Sequence, residues 1–212
     1  MRTFKLFALA GSAFLAAALA TPALALDPAP NSGQTQIETE FLTGMVPHHR
    51  SAVVMANMVL DKGTHAELKT MARHIIDDQQ MEIAKMSQWL QDWYGLEPPS
   101  GTMMPTSSMS GMMPMLHGRM PDMEAAMKDL NNRSGADFEV AFLSAMSHHH
   151  AEAIMMTGPV LMGGHHADLF TLAENIAVSQ GEEIRQMDQW LQSWYGVQRP
   201  LEDPVMAMPM GS

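Results

Sequence analysis

From residue 68 to 93 the non-surface positions step by four and three: Leu68, Ala72, Ile75, Gln79, Glu82, Met86, Trp89 and Trp93. Such steps mark the seam of a buried helix face. Gln79 and Glu82 are the two polar rungs of an otherwise apolar stripe. Burying a polar group without a partner is costly, so both need one. The preceding segment carries a second face, with Met45, His48/His49, Ala52 and Met55 at i, i+3/i+4, i+7 and i+10. Two helices are predicted. Thr35-x-x-Glu38 and Thr64-x-x-Glu67 read as capping boxes, which sets helix starts near 36 and 65. Lys62-Gly63 is the stop between them, and Gly95 followed by Pro98-Pro99 closes the second helix.

The pattern then recurs. Residues 41–95 align without a gap on 142–196, at a constant offset of 101 and with 27 identities in 55 positions. An internal duplication explains this, and it shows which positions both copies kept. Kept are Met45/Met146, His48/His149, His49/His150, Met55/Met156, His65/His166, Gln79/Gln180, Glu82/Glu183 and Met86/Met187. The ending Gln-Trp-Leu-Gln-x-Trp-Tyr-Gly is kept as well. In the second copy Ser134 and Asp137 predict a helix start, Gly163-Gly164 the turn, and Gly196 with Pro200 the end. Gly158-Pro159 has no counterpart in the first copy and should kink or end the third helix early.

Two hairpins and a long connection predict an all-α four-helix bundle. The chain divides into a leader at 1–25, a first hairpin at 36–97, a Met-rich linker at 98–133, a second hairpin at 134–199 and a Met-containing tail at 200–212. Folding the first hairpin at about residue 62.5 gives antiparallel neighbours whose numbers sum to roughly 125. Met45 then lies level with residue 80 and His48/His49 with 77/76, within a turn or two of Gln79 and Glu82. The same arithmetic gathers Met146, His149 and His150 beside Gln180 and Glu183. Trp89/Trp93 and Trp190/Trp194 are most simply clamps at one end of the bundle.

Charge and composition narrow the function. Arg2 and Lys5 precede an apolar stretch from Leu6 to about Ala20, and Ala23-Leu24-Ala25 fits a signal peptidase site. Residues 1–25 therefore read as a cleaved secretory signal, and the mature chain is expected to be periplasmic or secreted, without membrane insertion. Without Arg2 and Lys5, ten basic residues face 23 acidic ones, a formal charge of −13. That surface repels nucleic acid and anionic lipid and attracts cations. There is no cysteine, hence no disulfide and no thiolate metal site.

Methionine is the anomaly, at 24 in 212 residues. Nine lie between Met103 and Met127, including Met112, Met113 and Met115 with His117 nearby. A loop this long in a compact domain is usually functional or disordered, and disorder ordinarily favours hydrophilic residues. Thioether sulfur is a soft ligand that suits Cu(I) and needs no deprotonation. A lone methionine on an apolar face, such as Met55 or Met86, is ordinarily core filling. Paired histidines near a helix end can be simply hydrogen-bonded, but here they recur beside methionine in both copies. Glu82 and Glu183 read equally as ligands or as hydrogen-bond partners of a ligand histidine. His65 and His166 read equally as cap contacts or peripheral ligands. A di-iron bundle needs Glu-x-x-His motifs and a zincin needs His-Glu-x-x-His, and neither occurs.

At MVPHHRSAVVMA followed by HAELKTMARHIIDDQQMEIAKMSQWL the sequence resembles a family of exported, ferritin-like four-helix proteins classed as a domain of unknown function and typified by the copper-binding protein CopM. The second copy departs from that pattern at His148, where proline is expected, and at Gly158-Pro159. The resemblance implies a ferritin-like bundle and copper binding and tolerance outside the cytoplasm. Its ligands would be Met45, His48, His49, Met55 and Met86, and their counterparts Met146, His149, His150, Met156 and Met187. Taken together, the expectation is a non-enzymatic protein that binds copper, above all Cu(I) with Cu(II) as the second state, and Ag(I) through the same donors. Metal ions are its expected partners, together with a protein that exports or accepts copper. The alternative from another class is a helical interaction module with a Met-rich binding surface. An oxidase acting on Cu(I) or Fe(II) is disfavoured by the missing Glu-x-x-His motifs.

Overall fold

The computed structural model describes residues 29–102 and 123–198. Within them the chain forms α1 (Ser32–Lys62), α2 (Ala66–Tyr94), the short α3 (Met123–Asn132), α4 (Gly135–Gly163) and α5 (Ala167–Tyr195). No strand occurs among the described residues. α1 pairs with α2, α4 pairs with α5, and the hairpins join where α1 packs on α4.

Burial explains this order. Between Phe41 and Ala52, α1 is buried at nearly every position, and α4 is equally covered between Phe142 and Ala153. α2 and α5 bury one stripe each: Leu68, Ala72, Ile75, Gln79, Met86 and Leu90 in α2, and Leu169, Ala173, Ile176, Gln180, Ile184, Met187 and Leu191 in α5. A helix covered on several sides belongs inside, and a single stripe belongs outside. α1 and α4 are therefore the inner pair. The core falls into two clusters, and each mixes the repeats. One joins Ala52, Met55 and Val59 to Phe138, Phe142, Met146 and Met187, and the other joins Phe41, Met45 and Met86 to Met156, Val160 and Leu169. α3 seals one end with buried Leu130, and Lys62 Nζ donates to the Asn131 carbonyl at 2.5 Å.

Glycine closes both hairpins for a steric reason. A methyl group at Gly63 would stand 2.7 Å from the Val59 carbonyl oxygen, and one at Gly164 would stand 2.8 Å from that of Val160. Gly95 and Gly196, at φ 64° and 66°, end the outer helices in the left-handed conformation that glycine adopts without cost.

Three local expectations are corrected. α1 begins at Ser32 rather than near 36, because Asn31 is the cap. Its side chain accepts from Gly33 N and Gln34 N, both at 3.0 Å, and Gln34 Oε1 accepts from Asn31 N. Thr35 and Glu38 thus lie inside the helix, and Glu38 is fully buried. α2 does begin at Ala66, but no Thr64–Glu67 box forms, since its cap residue His65 makes no side-chain cap bond. Gly158-Pro159 does not end α4, which runs on to Gly163. Thr157 and Val160 are buried on either side of the pair, and that packing offsets the missing N–H. Pro47 sits inside α1 in the same way.

Glu38 and Glu139, 101 residues apart, are the carboxylates that replace the expected boxes. Glu139 lies near the start of α4, yet it accepts from the backbone N–H of Thr64 and of His65 (3.0 Å), from Thr64 Oγ1 (2.9 Å), from His65 Nδ1 (2.6 Å) and from the Tyr195 hydroxyl. Glu38 does the same at the start of α5, accepting from His165 N (2.6 Å), His166 N (2.8 Å), His166 Nδ1 (2.7 Å) and the Tyr94 hydroxyl. One carboxylate from an inner helix therefore caps an outer helix of the other repeat. The capping histidines also stack on tryptophan: His65 on Trp194 and His166 on Trp93, each at 3.9 Å and 3°. His65 and His166 are thus cap contacts. The tryptophan pairs close opposite ends of the bundle, not one end as expected, because α1 and α4 run antiparallel. Among the described residues no helix is long and apolar enough to cross a membrane.

The clasps set the acid stability. Burial pushes the Glu139 carboxyl up, but its bonds to Tyr195, Thr64 and His65 outweigh this and hold it at about 2, below the ordinary 4.5. A depressed carboxylate contributes stability that is fully present above the unfolded pKa and is lost as pH falls from 4.5 through 2. Glu139→Gln should therefore lower the unfolding free energy by about 3 kcal/mol at neutral pH. Urea titrations at stepped pH should show the gap to the wild type shrinking as pH falls toward 2.

Candidate metal centre

Where α1 crosses α4, four imidazoles form a buried row. His48 and His149 face each other with ring centroids 3.7 Å apart. His49 lies 6.3 Å from His48, and His150 lies 6.2 Å from His149. None of the four is more than 4% exposed. Each end of the row meets a carboxylate from an outer helix: His49 Nε2 is 2.8 Å from Glu82 Oε2, and His150 Nε2 is 2.7 Å from Glu183 Oε2. Both carboxylates are about one-fifth exposed. In the centre, the Ser51 hydroxyl is 2.7 Å from His149 Nε2, and His48 Nε2 is 3.6 Å from Glu152 Oε2, beyond hydrogen-bond reach.

The row leaves nitrogen lone pairs unused. Both ring nitrogens of His48 and of His150, and Nδ1 of His49 and His149, are buried without a hydrogen-bond partner; Glu183 Oε2 is 2.7 Å from His150 Nε2 but not in line for a hydrogen bond. Such groups cost about 1–3 kcal/mol each when nothing satisfies them. A carboxylate that accepts the Nε2 proton fixes the tautomer and leaves Nδ1 as a free base. Burial holds His48 below the ordinary imidazole range, against the pull of Glu152. It holds His149 well below that range, and the neighbouring imidazoles add to the shift. Both are therefore neutral near pH 7, which is the state in which imidazole binds a metal ion.

The methionines follow the register of the histidines. His49 meets Glu82 rather than a residue near 76. The connection at 63–65 moves the pivot from 62.5 to 64, and side chains lean toward their own N-termini, so each meets a residue further along the opposing helix. One turn away in the same register, Met45 comes level with Met86, and both lie in one core cluster. Met146 and Met187 repeat this in the other cluster. Met55 does not share the cluster of the first repeat's pair: it lies in that of Met146 and Met187, while Met156 lies in that of Met45 and Met86. Three buried methionines therefore fall in each core cluster, drawn from both repeats. Met112, Met113, Met115 and His117 lie outside the described residues.

Among the described residues, no three His, Asp or Glu side chains stand together as a ready ligand set. Gln79 and Gln180 are buried with Oε1 unpartnered, so both repeats keep a spare polar oxygen on the outer helices. Sequence reasoning missed Glu38, Glu139, Ser51 and Glu152. The first two obey the 101 offset but lie just outside the block that was aligned, and the last two replace each other across the repeats.

Fold and site define a repeat-built helical bundle with a buried histidine row and three buried methionines in each of its two core clusters. The chain belongs to the family described as Domain of unknown function (DUF305), which it matches over residues 38–206. It is similar to CopM in the Cu(II)-bound form, with 34% identity, a TM-score of 0.61, and coverage of 74% of this chain and 97% of CopM. CopM in the Cu(I)-bound form gives 33% identity, a TM-score of 0.57, and coverage of 78% and 99%. A putative secreted DUF305 protein from Streptomyces coelicolor gives 28% identity, a TM-score of 0.63, and coverage of 77% and 95%. The uncharacterized protein L153 of Acanthamoeba polyphaga mimivirus is 33% identical over 55 residues, which is 26% of this chain and 36% of that protein's length.

The row depends on its two carboxylates unequally, since Glu82 is hydrogen-bonded to His49 and Glu183 only stands close to His150. Glu82→Ala should leave the His49 Nε2–H buried without an acceptor and cost about 1–3 kcal/mol. Glu183→Ala should cost less at His150, whose Nε2 stands 2.7 Å from Glu183 Oε2 without a hydrogen bond, and thermal unfolding of the two variants checks the difference.

Proposed function

We propose that the protein is an exported, non-enzymatic copper-binding protein that takes Cu(I), and Ag(I) through the same donors, and sequesters it or hands it to an accepting protein. The observation that carries this reading is the buried row whose imidazole nitrogens lack partners, with three buried methionines in each of the two core clusters. Neutral imidazole and thioether are the donors that suit Cu(I), and sulfur needs no deprotonation. One ion would draw on Met45, Met86 and Met156 with His49, and the other on Met146, Met187 and Met55 with His150. His48 and His149 lie between the two and would serve either ion. Glu82 and Glu183 would orient the outer histidines rather than bind the metal. Met112, Met113, Met115 and His117 would capture or exchange ions. Cu(II) fits the nitrogen donors alone and is the second state. The similarity to CopM, whose structures include Cu(I)-, Cu(II)- and Ag-bound forms, supports the choice of ion. The signal-like residues 1–25 and the similarity to a putative secreted relative support export to the periplasm or beyond.

A Cu(I) titration of the mature protein against a chromophoric chelator tests this. Met45→Leu, Met86→Leu and Met156→Leu together should lower the number of ions bound while leaving helicity unchanged, since Met and Leu exchange in cores at under about 1.5 kcal/mol. Deleting 103–122 should reduce uptake without abolishing it. No competition at any protein excess would overturn the copper reading and return the methionines to a protein-binding role.

A further inference from the structure

The two halves of the row differ at one place. Where the first repeat has Pro47 and Ser51, the second has His148 and Glu152. Ser51 suits a buried position: its hydroxyl donates to the His48 carbonyl at 2.6 Å and lies 2.7 Å from His149 Nε2. Glu152 occupies the equivalent place with a carboxylate that is only 4% exposed. A buried charge needs compensation, and a serine in the equivalent place shows that packing there does not require a carboxylate. Glu152 Oε1 is 3.2 Å from His148 Nε2, and Oε2 is 3.6 Å from His48 Nε2.

These groups form a ladder from solvent to the centre. The side chain of His148 is 34% exposed, that of Glu152 5% and that of His48 3%, and the His48 ring then faces His149 at 3.7 Å. The first repeat has no such ladder, because Pro47 is buried and carries no polar side-chain atom. Glu82 and Glu183 reach only the outer histidines, and each already faces an imidazole Nε2.

We propose that His148, Glu152 and His48 form a one-sided port through which a copper ion passes between solvent and the buried row. The inference rests on the copper reading above. His148 is the first imidazole to replace the ion's water, Glu152 is a transfer residue whose charge lowers the cost of carrying a cation inward, and His48 delivers the ion to the centre.

Stopped-flow mixing of the protein, in excess, with the Cu(I) complex of a chromophoric chelator gives the uptake rate from the loss of colour, and the endpoint gives the number of ions. Glu152→Ser installs the residue the other repeat uses there. It should slow uptake by about tenfold or more with the endpoint unchanged. His148→Ala should slow uptake in the same direction, and circular dichroism and the unfolding midpoint should confirm that both variants fold. An unchanged rate at the wild-type endpoint overturns the port alone. Loss of ions along with rate also overturns it, because Glu152 would then be part of the holding site. A comparable slowing by Glu82→Ala would move the entrance to the groove between α2 and α5 and overturn it as well. No uptake by the wild type overturns the copper reading and the port with it.

Discussion

Four imidazoles buried between two crossing helices are the constraint on which the rest of the bundle depends. They cannot be left to water, and protein groups satisfy them only in part. α1 and α4 must lie inside to enclose them, and that leaves α2 and α5 outside with one buried stripe each. The kept glutamates of those outer stripes reach in to the ends of the row, so the pairing of outer on inner helix is fixed by chemistry as well as by apolar contact.

The ends of the bundle solve a different problem. An outer helix that starts at a histidine has no side-chain cap of its own, so the orphan amides of its first turn need an acceptor from elsewhere. Glu38 and Glu139 supply it across the repeat boundary, and tyrosine and stacked tryptophan enclose them. Neither hairpin could complete its own outer helix, which ties the halves together more firmly than the α1–α4 contact alone would. Polar interior and polar ends are thus both shared between repeats.

Much of this was legible in the sequence because duplication marks what matters. The all-α class, the hairpins and the meeting of histidine with Glu82 and Glu183 all follow from periodicity and the offset of 101. What was not legible is nonlocal. Thr35-x-x-Glu38 has the form of a local box, and nothing nearby in the chain reveals that Glu38 serves a helix more than 120 residues away. The exchange of Met55 and Met156 between core clusters depends on how α1 crosses α4, which no pattern within one hairpin determines. The register erred because hairpin arithmetic counts backbone positions, whereas contacts are made by side chains that lean.

Joining both hairpins in one polypeptide has an evolutionary consequence. In a dimer of identical hairpins, every substitution at the two-fold axis is made twice, so a change that is useful once and harmful twice cannot persist. Gene fusion removes that restriction. Pro47 and Ser51 can stand on one side of the axis and His148 and Glu152 on the other, an asymmetry that two identical chains could not hold.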